Sequence, residues 1–262
     1  MNMKITDDRA TIECGAPSGA VALLEDVYPN VRNELIAYVT RMVIRPEIAE
    51  ELVQEAATKW VTAQNLPTDI DGARAWLFRV STNLAIDYRR RHSTWRENML
   101  QDAREVAVRN EAFVWETGRM AGSPEMKAIA KEHLAVCFAC TLRIFPAQQS
   151  AALLLTEVNG FSLKEAAEIL GLEAGQVKHA LQSARGALRE KYGATCQLVM
   201  KQGVCHQCVE LAKHLNGREE DPLDGTPGDI DARLHILRQQ KDSPLGPWHR
   251  MMMRLIDDLL HD

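Results

Sequence analysis

Apolar residues in the first ninety positions recur at intervals of three and four, the spacing that gathers side chains on one face of an α-helix. Over residues 18–44 the stripe is Leu24, Val27, Leu35, Val39 and Met42. Tyr28-Pro29 interrupts it, so the pattern predicts two consecutive helices. Pro46 then stands where a first helical residue would. From there Ile48, Leu52, Ala56 and Trp60 form one stripe, with Glu47, Glu50, Glu51, Gln54 and Glu55 off it. NLPTDIDG, residues 65–72, is turn chemistry. The next segment, residues 74–91, is two-faced: Leu77, Val80, Leu84 and Tyr88 predict a core side, and Trp76, Arg79, Asn83, Asp87 and Arg90 line up on another.

Residues 93–122 are charged and mixed, without a sustained apolar stripe, and predict a linker. Ser123-Pro124-Glu125 pairs an N-cap with a proline at the first helical position and opens a new domain. A helix is expected up to Phe145-Pro146, and another over residues 147–158, ended by Asn159-Gly160. Ser162 and Glu165 then have the spacing of a capping box, Leu163, Ala166, Ala167 and Leu170 form a buried stripe, and Gly171 stops the helix. A second helix follows with Val177, Ala180, Leu181, Ala184 and Leu188 inward, completing a helix-turn-helix. Its outward residues, Gln176, Lys178, His179, Gln182, Ser183 and Arg185, are types that contact phosphates and base edges.

Alternation at the strand period is scarce, so the expected fold is all-α. It comprises a leader (1–17), a helical domain (18–92), a linker (93–122), a helix-turn-helix domain (123–193) and a mainly helical extension (194–262). The 262 residues are 46% hydrophobic, enough to bury several small cores. No run of about 18 apolar residues suggests a membrane span, and the N-terminus lacks a signal-peptide layout, so a cytoplasmic protein is expected. A net charge of −5 rules out a chain basic throughout and confines nucleic-acid contact to patches such as Arg89-Arg90-Arg91. Beside that patch, Trp76 offers a stacking plane, Asn83 an amide and Arg79 a further guanidinium, equipment for holding a phosphate chain and an unpaired base.

The order ELVQEAATKW, a short Pro/Gly/Asp loop, then RAWLFRVSTNLAIDYRRR resembles region 2 of sigma-70-type initiation factors, above all the extracytoplasmic-function (ECF) group. FPAQQSAALLLTEVNGFSLKEAAEILGLEAGQVKHALQSARGALREKYG is similar to region 4 of the same family, and together the two likenesses cover residues 21–192. The resemblance implies that Glu50, Glu51, Gln54 and Glu55 face the β′ clamp helices of core RNA polymerase. It implies that Trp76, Arg79, Asn83, Asp87, Tyr88, Arg89, Arg90 and Arg91 serve the melted −10 strand, with Asn83 seating a flipped base. It also implies that Gln176, Lys178, His179, Gln182, Ser183 and Arg185 read the −35 element, with the β flap as a further partner. Ile48-Ala49-Glu50-Glu51 stands where the family commonly has Asp-Ala-Glu-Asp, FPAQQ replaces an LPPRQR-like run, and Ala180 replaces a frequent Arg. Fewer cations on the recognition helix imply fewer phosphate contacts and an altered −35 preference.

The extension places Cys196, Cys205 and Cys208 with His206 and His214 nearby. Cys196, Cys205, Cys208 and His214 would complete a zinc tetrahedron, with His206 the other choice of fourth ligand; a redox dithiol and simply buried thiols are the alternatives. Cys137 and Cys140 lie in an apolar helix and read as buried thiols. Beyond a Gly/Pro/Asp-rich loop, Ile230, Leu234 and Leu237, then Trp248, Met252, Leu255, Ile256 and Leu259, predict two amphipathic helices. The extension is acidic, which suits a docking or regulatory appendage: either an anti-sigma factor or self-inhibition by the extension would then control activity. The expected function is promoter recognition and melting with core polymerase, without catalytic residues and with no required cofactor. A stand-alone helix-turn-helix regulator is the first alternative and a CxxC thiol oxidoreductase a remote one.

Overall fold

The computed structural model describes residues 18–92, 109–112, 115, 138–139, 141–143, 145–192 and 230–243. Among these, all regular structure is helical. The first unit is three helices: α1 (Ser18–Val43), α2 (Pro46–Thr62) and α3 (Ile70–Arg91). The second is α4 (Ala147–Leu153), running into a π-helical turn (Leu154–Val158), then α5 (Leu163–Leu170) and α6 (Ala174–Tyr192). From the extension, α7 (Ile230–Gln239) is described.

α1 is one helix, not the expected two. Proline removes one backbone donor and crowds the preceding turn. Pro29 is exposed, as is Glu25, whose carbonyl loses its donor, and Asn30 Nδ2 donates to the neighbouring Asp26 carbonyl at 2.8 Å. Packing of the flanking Val27 and Val31 then carries the helix through. The first core centres on Trp60, Tyr38, Phe78, Leu35 and Met42, all fully buried. Trp60 meets the Trp76 ring edge-on at 5.0 Å and donates from Nε1 to the Ala20 carbonyl at 2.8 Å, so its one polar atom is satisfied. Tyr38 Oη lies 2.8 Å from Thr82 Oγ1, which itself donates to the Phe78 carbonyl at 2.6 Å. Burial pushes the Tyr38 phenol well above its ordinary value despite that hydrogen bond.

α3 starts where Asp69 caps it, accepting from Gly72 N–H at 2.8 Å. Its buried stripe is Ala73, Leu77, Phe78, Ser81, Thr82, Ala85 and Arg89, rotated from the expected one, with Val80, Leu84 and Tyr88 only half-buried. The rotation arises because α3 is covered from two sides, by α1 and α2 and by the second unit. In α2 the stripe likewise moves to Ala49, Val53, Ala56, Ala57 and Trp60, leaving Ile48 and Leu52 half-buried.

The helix-turn-helix follows the sequence grammar closely. Ser162 Oγ accepts from Glu165 N–H at 3.3 Å and Glu165 Oε2 accepts from Ser162 N–H at 2.7 Å. Hydrogen bonding to the Ser162 side chain first, and to the Ser162 backbone N–H second, holds the Glu165 carboxyl below its usual value. Gly171 closes α5 at φ 63°, where a side chain would be strained. Ala166, Ala167 and Ile169 are buried, but Leu163 is exposed and Leu170 half-buried, a correction to the predicted stripe. In α6 Val177, Ala180, Ala184 and Leu188 are buried as expected, with Leu181 half-buried.

Candidate functional site

α2 presents an acidic strip. Glu50, Glu51, Gln54 and Glu55 are all exposed on the side away from Val53 and Trp60, and Glu55 pairs with Lys59 at 3.2 Å. The packing that buries the small and aromatic residues of α2 thus leaves this strip open to solvent.

On α3, Arg79, Asn83, Arg90 and Arg91 are exposed. Trp76 is half-buried against Trp60, Asp87 is half-buried and pairs with Arg90 at 3.1 Å, and Tyr88 stacks on His92 at 4.2 Å. Arg89 is set apart from this group. It is 8% exposed, and its Nη2 donates to the carbonyls of Phe145 at 2.7 Å, Arg143 at 3.2 Å and Leu142 at 3.5 Å. Burial, with Arg143 beside it, pushes this guanidinium down to about 9, still charged at neutral pH. In this arrangement Arg89 secures the second unit to the first rather than facing solvent.

On α6, Lys178, His179 and Gln182 are exposed. Gln176 is exposed too, but its side-chain carbonyl accepts from Glu173 N–H at 2.9 Å at the helix start. Ser183 is half-buried. Arg185 is held between Glu157 and Asp231, each at 2.5 Å. Burial alone would lower its guanidinium, yet the hydrogen bonds to the two carboxylates push it up.

The sequence pattern did not foresee the polar joint between the units. Arg74 donates to Glu34 Oε1 at 2.8 Å and to the Asn159 carbonyl at 2.9 Å, while its guanidinium lies 4.1 Å from the Phe161 ring centre and 5.0 Å from that of Phe78. Those two rings meet edge-on at 4.9 Å. Asn159 Nδ2 also donates to Glu34 Oε1 at 3.1 Å. Glu34, 7% exposed, sits among the apolar residues of α1, and a carboxylate in such a stripe was the one available signal. α7 and the turn after it close the other side: Arg238 of α7 binds the carboxylate and carbonyl of Glu157, and Lys241 of the turn stands 3.6 Å from Glu34. Arg41, fully buried, donates to the Gln240 and Lys241 carbonyls. Burial lowers its guanidinium to about 10, which leaves it charged at neutral pH. Cys137, Cys140, Cys196, Cys205, Cys208, His206 and His214, the linker apart from residues 109–112 and 115, and the helix expected after Pro247 lie outside the described residues.

A three-helix unit with an acidic strip and a basic aromatic helix, followed by a helix-turn-helix, has a counterpart among known proteins. Sigma-70 region 2 matches residues 27–94, and Sigma-70, region 4 matches residues 136–188. RNA polymerase sigma factor SigZ of Bacillus subtilis (strain 168) is 28% identical over 177 residues, covering 67% of this chain and 90% of the relative. ECF RNA polymerase sigma factor SigL of Mycobacterium tuberculosis is 28% identical over 179 residues, covering 67% of this chain and 92% of the relative. Probable ECF RNA polymerase sigma factor SigI of the same species is 26% identical over 215 residues, covering 79% and 69%. The chain belongs to the sigma-70 family of transcription initiation factors. Within that family it is an ECF sigma factor, which binds core RNA polymerase and promoter DNA and directs promoter recognition for initiation.

Proposed function

We propose that the exposed strip Glu50, Glu51, Gln54 and Glu55 docks on the β′ clamp helices of core polymerase, and that the second unit engages the β flap. The face of α3 around Trp76, Arg79, Asn83, Arg90 and Arg91 captures the melted −10 strand, and Lys178, His179 and Gln182 of α6 read the −35 element. The nucleotidyl transfer is left to the polymerase, and the cytoplasm is the place of action. The observation that carries this reading is the separation of exposed groups: carboxylates on α2, cations and the Asn83 amide on α3. Acidic strips seek protein cations, and cations flanking an amide suit a single strand.

Asn83→Ala is expected to reduce promoter opening by about tenfold, the loss of one good base contact, while co-elution with core polymerase is unchanged. Permanganate footprinting and gel filtration read the two effects. Equal loss of both would show that Asn83 is structural and that the face is misassigned. For the extension we propose zinc held by Cys196, Cys205, Cys208 and His214; metal analysis of purified protein, with and without Cys205→Ser, separates this from a redox dithiol or buried thiols.

A further inference from the structure

The two DNA-reading units touch. Arg89 of α3 reaches the Phe145 carbonyl at 2.7 Å, and Phe78 meets Phe161. Promoter elements centred near −35 and −10 lie about 25 base pairs apart, about 85 Å along straight B-form DNA. α3, with 22 residues, is about 33 Å long. Units in direct contact cannot sit on both elements at once, so the chain as it stands is closed, and it must open to act.

α7 is placed to decide how readily it opens. Ile230, Leu234 and Leu237 are buried against the second unit, the polar side of α7 grips charged groups of that unit, and the turn after α7 reaches the first. Asp231 holds Arg185 of the recognition helix, and Arg238 holds Glu157 on the π-helical turn. On the first unit, Lys241 approaches Glu34, and Arg41 takes the carbonyls of Gln240 and Lys241. The ten-residue α7 and the turn that follows it, residues 240–243, thus bridge the units, and α7 occupies one of the recognition helix's cations.

We propose that α7 is an intramolecular latch: it holds region 4 against region 2 and restrains promoter binding until the extension is displaced. The proposal rests on the promoter reading of both regions. Its partner surface is this chain's own polar cleft, formed by Glu157, Arg185, Arg41 and Glu34.

The test uses the full chain. Asp231→Lys combined with Arg238→Glu turns the Arg185 and Glu157 contacts into like-charge pairs at exposed positions outside the DNA- and polymerase-binding faces. Arg238→Lys, which keeps the charge, serves as the conservative variant. The double variant is expected to show a larger radius of gyration in small-angle scattering. It should also raise run-off transcription with core polymerase about fivefold, the change produced by a few exposed ion pairs. The Arg238→Lys chain should remain closed and behave as wild type. Equal scattering from all three chains would overturn the latch. Expansion without a rise in transcription would overturn its inhibitory role. Expansion with no promoter-dependent product from any chain would support the latch and count against the promoter reading alone.

Discussion

Region 4 is held on two sides by contacts of opposite character. Against α3 the joint is largely dry: Arg89 is spent on three backbone carbonyls, and Arg74 lies over the Phe161 ring while binding a carboxylate that is 7% exposed. Against α7 the charged groups are wetter, with Arg238 46% and Asp231 62% exposed at the side chain. Salt screens exposed pairs and hardly reaches buried ones. The first contact therefore sets which surfaces of region 2 and region 4 meet, and the second is the adjustable one. A regulator of such a chain has more to gain by acting on α7 than by prising open the α3 joint.

The largest expected effect comes from the centre of the dry joint. Glu34→Ala removes the carboxylate partner of Arg74 and of Asn159 Nδ2 together and leaves a guanidinium that is 24% exposed, without its counter-charge, between two rings. Breaking a buried pair in this way costs about 3 kcal/mol, to be measured by chemical denaturation. A loss below about 0.5 kcal/mol, the size of an ordinary surface change, would mean that the joint is open in solution. Arg89→Met follows. It keeps the aliphatic bulk but strips the Phe145 and Arg143 carbonyls of a buried donor, a loss of about 2 kcal/mol with little dependence on salt. Strong salt dependence there would make the two contacts alike.

How far the amino-acid pattern foretold this structure follows from where packing is one-sided. The capping box at Ser162, the Gly171 stop and the inward alanines of α6 were legible because local hydrogen bonds and a single buried face determine them. The acidic strip of α2 was legible for the same reason. α3 was misread by a rotation because a second unit covers part of what periodicity assigned to solvent, and Arg89, assigned to DNA, is turned inward by that cover. Pro29 misled because an exposed proline in a long, well-packed helix costs one hydrogen bond without ending it. The clusters around Glu34 and Glu157 join residues far apart in the chain, and no local spacing encodes such meetings.

A change inside region 4 that touches neither contact calibrates the comparison. Ser162→Ala removes the α5 cap and is expected to cost about 1 kcal/mol, leaving the closed arrangement intact by scattering. The pH dependence of this cap is set by Glu165. Its carboxyl is held down in the folded chain, so its contribution is fully present above the unfolded value of about 4.3 and is lost as the pH falls through the lower folded value. Thermal melts from pH 7 to pH 3 should therefore show the Glu165→Gln chain converging on wild type in acid. A gap that widened in acid would show that the carboxylate is not the stabilised form.

The smallest effect tests whether the two contacts are independent. Lys241 belongs to the α7 side, yet its ammonium stands 3.6 Å from the same Glu34 oxygen that serves Arg74. Lys241 is 45% exposed and its partner 8%, so the pair is neither a free surface pair nor a buried one. Its exposed end allows solvent to screen it, and Lys241→Ala should cost under about 1 kcal/mol at low salt, fading toward 1 M salt. The informative quantity is the coupling between Lys241→Ala and Arg74→Ala in a double-mutant cycle. Two cations sharing one carboxylate repel each other, so removal of either strengthens the hold of the other, and the second loss should exceed the first. Additive losses would mean that Lys241 and Arg74 do not compete, and that α7 and α3 hold region 4 as separate clamps.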